Sequence, residues 1–218
     1  MSDAEARLAG EEVMLLAERA LFWPRAGTLV VADLHWGKAA TFRAAGIPVP
    51  VGATSDDLAR LDSALFRTCA RRLIVLGDLF HARAGRIATQ TLAELRRWRA
   101  LRDEIEIMLV RGNHDRHAGD PPDDLRINCV NAPAFAPPFV LRHEPAASGE
   151  GYTLAGHLHP AIVLSGPALQ RERLPCFWLT PTGAVLPAFG SFTGFASVVP
   201  APEDRIFVVA DQDVIRVG

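Results

Sequence analysis

The chain has 218 residues, 49% of them apolar, and a formal net charge of −2. That length and composition favour one domain with a sizeable core and exclude a disordered chain. The weak net charge excludes a whole-surface field that would draw in DNA or an anionic membrane, so any polyanion must be met by a local patch or by bound metal.

Residues 1–10 are expected to be flexible, with one ordered domain from about residue 12 to residue 218. The opening Met1-Ser2-Asp3-Ala4-Glu5 is not a basic segment followed by an apolar one. No run approaches the roughly 18 apolar residues of a membrane span. Cys69, Cys129 and Cys176 are odd in number and far apart, which argues against a disulfide framework or a zinc ribbon and fits a reducing compartment. The expectation is a soluble, cytoplasmic protein with no membrane partner.

Residues 12–33 read as three strands: Val13-Met14-Leu15-Leu16, Ala20-Leu21-Phe22-Trp23 and Thr28-Leu29-Val30-Val31. The third ends in Asp33-Leu34-His35. Pro48, Pro50 and Gly52 mark an ordered loop. A helix follows from about Thr54 to Cys69, capped by Thr54 or Ser55, with Leu58, Leu61, Leu65, Phe66 and Cys69 on one face. Leu73-Ile74-Val75-Leu76 is a short buried strand ending in Gly77-Asp78. A second helix runs from about Ile87 to Leu101, and the strand Glu106–Val110 leads into Arg111-Gly112-Asn113-His114-Asp115. Alternating strands and helices imply parallel pairing. Beyond residue 125 the runs at 126–130, 139–143, 152–155, 161–165, 176–180, 184–186 and 205–209 read as strands of a second, mostly antiparallel sheet. Two sheets packed face to face with helices outside make an α/β, four-layer α/β/β/α sandwich of two mixed β-sheets.

Polar clusters stand at the predicted strand ends: Asp33-x-His35, Gly77-Asp78, Gly112-Asn113-His114-Asp115, His143 and Gly156-His157-Leu158-His159. Of seven histidines, His35, His114, His143, His157 and His159 lie there, and His81 and His117 fall close by. Carboxylate, carboxamide and imidazole without thiolate are the donors that hard divalent metals such as Mn²⁺ accept. Two metals about 3.5–4 Å apart need a shared carboxylate and together can clamp an in-line displacement at phosphorus. Asp33 and His35, two apart on an extended strand, would share a face, and so would His157 and His159.

In this order and spacing, D-x-H, G-D, G-N-H-D, H and G-H-x-H resemble the calcineurin-like metallophosphoesterase superfamily. Asp33-Leu34-His35-Trp36-Gly37-Lys38, Ala44–Pro50, Gly77-Asp78-Leu79-Phe80-His81, Arg173–Leu179 and Leu186–Gly194 resemble one branch, the bacterial ligase-associated DNA-damage-response endonucleases. Phe195-Ala196 and Glu144 depart from that branch without touching the ligand motifs. The resemblance implies two divalent ions, Mn²⁺ first, with Fe²⁺ or Zn²⁺ also compatible. One ion would take Asp33, His35, Asp78 and His159; the other would take Asp78, Asn113, His143 and His157. A hydroxide between the ions would attack phosphorus, His114 would protonate the leaving group, and Asp115 would orient His114. It also implies single-stranded DNA as substrate and a ligase and a helicase as partners.

Substrate contacts are expected from His81, Lys38 and Arg142, each weighed against a plain solvated role. Arg83, Arg86, Arg96, Arg97, Arg99 and Arg102 read either as a path for a nucleic-acid backbone or as a solvated helix face. Phe177, Trp178, Phe189 and Phe192 read either as base-stacking rings or as core. A small-molecule phosphoesterase and a non-catalytic scaffold remain as rival functions.

Overall fold

The structure is a computed structural model that describes residues 2–50, 52–165 and 171–217. Four antiparallel strands open the first sheet: β1 (Ala4–Leu8), β2 (Glu11–Leu16), β3 (Ala20–Trp23) and β4 (Thr28–Val31). Helices α1 (Lys38–Ala44) and α2 (Ala53–Thr68) then cross to β5 (Arg72–Leu76). Helices α3 (Arg83–Arg86) and α4 (Thr89–Ala100) cross to β6 (Glu106–Val110), and α5 (Asn113–Ala118) crosses to β7 (Ile127–Val130). β4, β5, β6 and β7 pair in parallel, with Val31 opposite Val75 and Leu76 opposite Val110. The chain therefore leaves β4, β5 and β6 along one edge.

The second sheet holds β8 (Ala134–Ala136), β9 (Phe139–Leu141), β10 (Tyr152–Ala155), β11 (Pro160–Ser165), β12 (Arg171–Leu179), β13 (Gly183–Val185), β14 (Ala196–Ser197), β15 (Arg205–Ala210) and β16 (Asp213–Val217). It is mixed: β9, β10 and β13 run parallel, while β12 runs antiparallel to β11, β13 and β15.

Alternation along the strands builds two cores. Leu29, Val31, Leu73, Val75, Ile107 and Leu109 face Leu58, Leu61 and Leu65 of α2 and Leu95 and Trp98 of α4. Their neighbours Val30, Ile74, Leu76, Met108 and Val110 face Phe139, Leu141, Leu154, Phe177 and Phe207 of the second sheet. A strand covered on both faces must be apolar throughout, which is why β4 to β6 are unbroken apolar runs.

The α/β class, two mixed sheets with helices outside, holds, and the structure refines it in four places. Among the described residues all α-helices lie between residues 38 and 118. Among the described residues none covers the outer face of the second sheet, whose small cluster is Cys176, Ile206 and Val208. Helices arise where parallel neighbours of the first sheet need crossovers; the second sheet is joined by hairpins and short loops. β7, expected in the second sheet, pairs with β6 in the first. Residues 1–10, expected to be flexible, contain β1, which pairs with β2 along its whole length; its burial alternates too faintly in Ala-Glu-Ala-Arg-Leu to mark a strand. Finally, α2 has no side-chain cap from Thr54 or Ser55, and Phe66 and Cys69 leave its buried face. One residue past Leu65 is a rotation of about 100°, and Phe66 is 84% exposed.

Truncating Leu61, which is fully buried, is expected to cost about 2–5 kcal/mol. Phe66→Ala is expected to stay within about 0.5 kcal/mol of the parent. Urea unfolding of the two variants checks both values.

Candidate metal centre

The strand-end loops converge. Asp33 and His35 follow β4, Asp78 follows β5, Asn113 opens α5, His143 follows β9, and His157 and His159 follow β10. The pairs Asp33/His35 and His157/His159 do not lie on extended strand, as their spacing suggests. Asp33, His35, Asp78, His157 and His159 all have left-handed backbone, with φ of 56°, 48°, 54°, 70° and 48°. For a residue with a side chain this costs about 1–2 kcal/mol. The main chain holds these turns: Asp33 N–H donates to Gly77 O, His35 N–H to Asp78 O and Trp36 N–H to Leu79 O, so the β4 and β5 loops run side by side. Gly112 and Gly156 leave no room for a side chain, because a Cβ there would strike Asp78 Oδ1 and Asp33 Oδ2 respectively.

The donor atoms form two sets that share Asp78. In the first, His159 Nε2 is 3.4 Å from Asp33 Oδ1 and 3.4 Å from His35 Nε2, and His35 Nε2 is 3.8 Å from Asp78 Oδ2. In the second, His143 Nε2 is 2.8 Å from Asn113 Oδ1, 3.0 Å from His157 Nδ1 and 3.4 Å from Asp78 Oδ2. Ligands held at about 2.0–2.2 Å from one divalent ion stand about 3.0–3.4 Å apart, so most of these separations suit coordination. The imidazole protons point outward: His143 Nδ1 bonds Leu76 O at 2.9 Å and His159 Nδ1 bonds Gly194 O at 3.0 Å. In the neutral rings this leaves both Nε2 lone pairs facing inward, the arrangement that metal-binding histidines take. Asp33 Oδ1 is buried and has no hydrogen-bond donor among the described residues. These residues fit a pair of divalent cations.

The electrostatics agree. Burial, and then the charge of Asp33, push Asp78 up to about 7. Burial, with His159 and His114 next, pulls His35 down to about 2. Burial and His143 also lower His157. At His159 burial pulls downward, but the adjacent Asp33 carboxylate outweighs it and raises the imidazole. Two adjacent buried carboxylates thus crowd negative charge into a low-dielectric floor.

His114 and Asp115 do not act as a pair in the way their adjacency suggests. Both oxygens of Asp115 accept main-chain N–H groups: Asp78 at 2.7 Å and Gly112 at 2.8 Å on Oδ2, and Leu79 at 3.0 Å on Oδ1. Asp115 is buried and laces the β5 loop to the β6 loop; burial raises its pKa despite these bonds. The His114 ring is oriented instead by the main-chain carbonyl of His81, 2.6 Å from Nδ1. Its Nε2 stands 3.9 Å from Asp78 Oδ2, at the mouth of the site. Sequence spacing gives no sign of either bond, since main-chain partners leave no residue pattern.

His81 stacks on His114, with centroids 4.9 Å apart; burial and then Lys38 lower it to about 4. Lys38 opens α1, half-buried beside His35. Arg142 is half-buried, and its Nε has no hydrogen-bond partner among the described residues. The arginine cluster is largely engaged in structure: Arg96 pairs with Asp124, Arg102 with Asp62, and buried Arg99 bonds Leu125 O. Arg86 bonds Asp120 O, which leaves Arg83 and Arg97 as exposed members without such a partner among the described residues. Phe177 and Phe189 are core, Trp178 is half-buried against Asp204, and Phe192 is exposed.

Two cavities, of ≈500 and ≈470 Å³, lie elsewhere, beside β1 and β15, with Arg7 and Arg205 in both. Neither contains any of the converging donors, so the chemistry lies in the strand-end basin. Its floor is Asp33, His35, Asp78 and His143, all buried, and its rim is Asn113, His114, His157 and His159, all at least partly exposed.

Such a basin of carboxylates and imidazoles at the strand ends of two packed sheets defines a metal-dependent hydrolase. The chain belongs to the calcineurin-like phosphoesterase family, whose model matches residues 27–171. It is a metal-dependent phosphoesterase. A crystal structure of Pseudomonas putida nuclease MPE superimposes with a TM-score of 0.87 and 41% identity, over 99% of this chain and 100% of that one. YfcE, a phosphoesterase from E. coli, gives a TM-score of 0.42 and 15% identity over 87% of this chain and 97% of that one. No curated protein matches. No helix among the described residues is long and apolar enough to cross a membrane.

Asp115→Ala strips acceptors from three main-chain N–H groups and is expected to cost about 3 kcal/mol or more. His114→Ala, at a partly exposed ring, is expected to cost less than about 1 kcal/mol. Comparable losses in urea unfolding would contradict the lacing role given to Asp115.

Proposed function

We propose that this protein is a two-metal phosphodiesterase that cuts single-stranded DNA, as a repair nuclease of the cytoplasm. The carrying observation is Asp78 Oδ2, which lies between the Asp33/His35/His159 set and the Asn113/His143/His157 set. Asp33, His35, Asp78 and His159 would hold one ion, and Asp78, Asn113, His143 and His157 the other. The donors include no thiolate and suit Mn²⁺ first, with Fe²⁺ and Zn²⁺ also compatible. When bound, the ions supply Lewis-acid stabilisation of phosphoryl oxygens and lower the pKa of an attacking water.

The residues do the rest. Asp78 Oδ1 accepts the His114 N–H at 2.9 Å, which fixes the start of α5 against the floor. The His81 carbonyl holds His114 Nδ1–H, so its Nε2 is the atom that can pass a proton to the leaving oxygen. Asp115 positions Asp78 by holding its main chain. Lys38 and Arg142 are the basic side chains that would meet phosphate, and His81 lines the same approach. The nuclease whose structure this chain matches at 41% identity supports a nucleic-acid substrate, and the exposed rim supports a polymer that lies across the site. A ligase and a helicase as partners rest on the branch resemblance alone. The complete donor set weighs against a non-catalytic scaffold.

The test is Mn²⁺-dependent turnover of bis(p-nitrophenyl) phosphate against the monoester, followed by cleavage of single- and double-stranded DNA. Diester turnover with single-strand cleavage is expected. Diester turnover without DNA cleavage would favour a small-molecule phosphoesterase. His114→Ala is expected to lower kcat by about 10²- to 10⁴-fold while two metal equivalents remain bound; Asp78→Ala is expected to lose metal and activity together. Metal analysis of the purified variants separates the two effects.

A further inference from the structure

We propose that Phe192 and Phe42 form a stacking wall for an unpaired nucleobase beside the scissile phosphate, with Lys38 placed to meet the phosphate that the base carries. This rests on the phosphodiesterase reading and extends it to the class of substrate.

The wall is a continuous row of rings. His114 and His81 stack with centroids 4.9 Å apart and planes 27° apart. His81 and Phe42 follow at 6.0 Å and 26°. Phe42 then meets Phe192 edge to face at 5.6 Å and 86°. The row starts at the proposed proton donor and ends at Phe192, which is 39% exposed. An aromatic ring left in water beside a basin of charged ligands has apolar area to bury, and base–aromatic stacking is a sequence-tolerant way to bury it.

Phe192 is held before any substrate arrives. Ser191 N–H donates to Asp57 Oδ1 at 3.0 Å, and Thr193 Oγ1 donates to Gly190 O at 2.9 Å. Asp57 is buried on α2 and also takes Arg60, so the segment is tied to the helical layer. A ring carried on a segment tied down in advance and packed against Phe42 has less freedom to lose on binding.

Charge completes the arrangement. Lys38 is the sole lysine of the chain. Its Nζ lies 5.8 Å from the Phe192 centroid, and among the described residues it has no carboxylate partner. His35, Lys38 and Phe192 line one crevice, which joins the wall to the metal ligands. A cation next to an exposed ring matches the alternation of phosphate and base in a single strand. In a duplex the base faces are already covered by stacked neighbours, so the wall selects unpaired bases.

The experiment compares thymidine 5′-(p-nitrophenyl phosphate) with methyl p-nitrophenyl phosphate on the Mn²⁺-loaded enzyme. The wild type is expected to prefer the nucleoside diester in kcat/KM. Phe192→Leu is expected to reduce that preference about tenfold, through KM, and Phe192→Trp to restore it. A preference equal in the wild type and Phe192→Leu overturns the wall while leaving phosphodiester hydrolysis intact. Failure of the wild type to turn over either diester overturns the enzymatic reading itself, so the two failures are distinct.

Discussion

Two carboxylates, Asp33 and Asp78, are brought together in a floor from which water is largely excluded. That repulsion, more than any single contact, is what the surrounding structure is arranged around. Asp78 is driven up to about 7 by burial and by its neighbour; of the imidazoles beside the pair, His35 and His157 are held toward the neutral form, and His159, raised by Asp33, is the one that leans toward the charged form. Cations at the centre of the cluster would relieve that crowding. The apoprotein therefore carries an unfavourable electrostatic term that metal binding removes.

Main-chain hydrogen bonds oppose that term. Asp33 Oδ2 takes the His157 N–H, Asp78 Oδ1 takes the His114 N–H, and Asp115 takes three more. Each candidate ligand carboxylate thus commits one oxygen to the scaffold and turns the other toward the ions. Loops from both sheets are stitched together through their backbones, so the basin depends on the register of β4, β5 and β6 and on the packing of the second sheet beneath it. The glycines at 112 and 156 belong to the same device, since a methyl group there would occupy the space of a ligand oxygen.

Much of this could be read from residue order. Apolar runs end in polar residues at 33, 78, 113, 143 and 157, and strands buried on both faces carry no alternation to obscure where they stop. The family motif then groups positions that no local pattern connects. What stayed hidden has common physical causes. Asp115 and His114 find main-chain partners, which no side-chain spacing encodes. The left-handed turns at the ligands are imposed by tertiary contacts against local preference. β1 depends on distant pairing rather than on its own weak pattern, and β7, legible as a strand, carries nothing that says which sheet it joins. The arginines on and just after α4 look like a phosphate track until Asp124 and Asp62 are seen beside Arg96 and Arg102, and Phe189 and Phe192 differ in role only because one turns into the core and the other out to water.

The five left-handed candidate ligand residues set fold and chemistry at odds. Glycine at position 33, 35, 78, 157 or 159 would relax the backbone, and a neutral side chain at 78 would relieve the crowded charge as well. Each such change deletes a donor. A library of this chain sorted only for heat resistance in chelator would therefore drift toward well-folded, inert descendants, and the same library sorted with a fitting divalent metal present would be pulled back, because there bound ions would make the strained turns worth keeping.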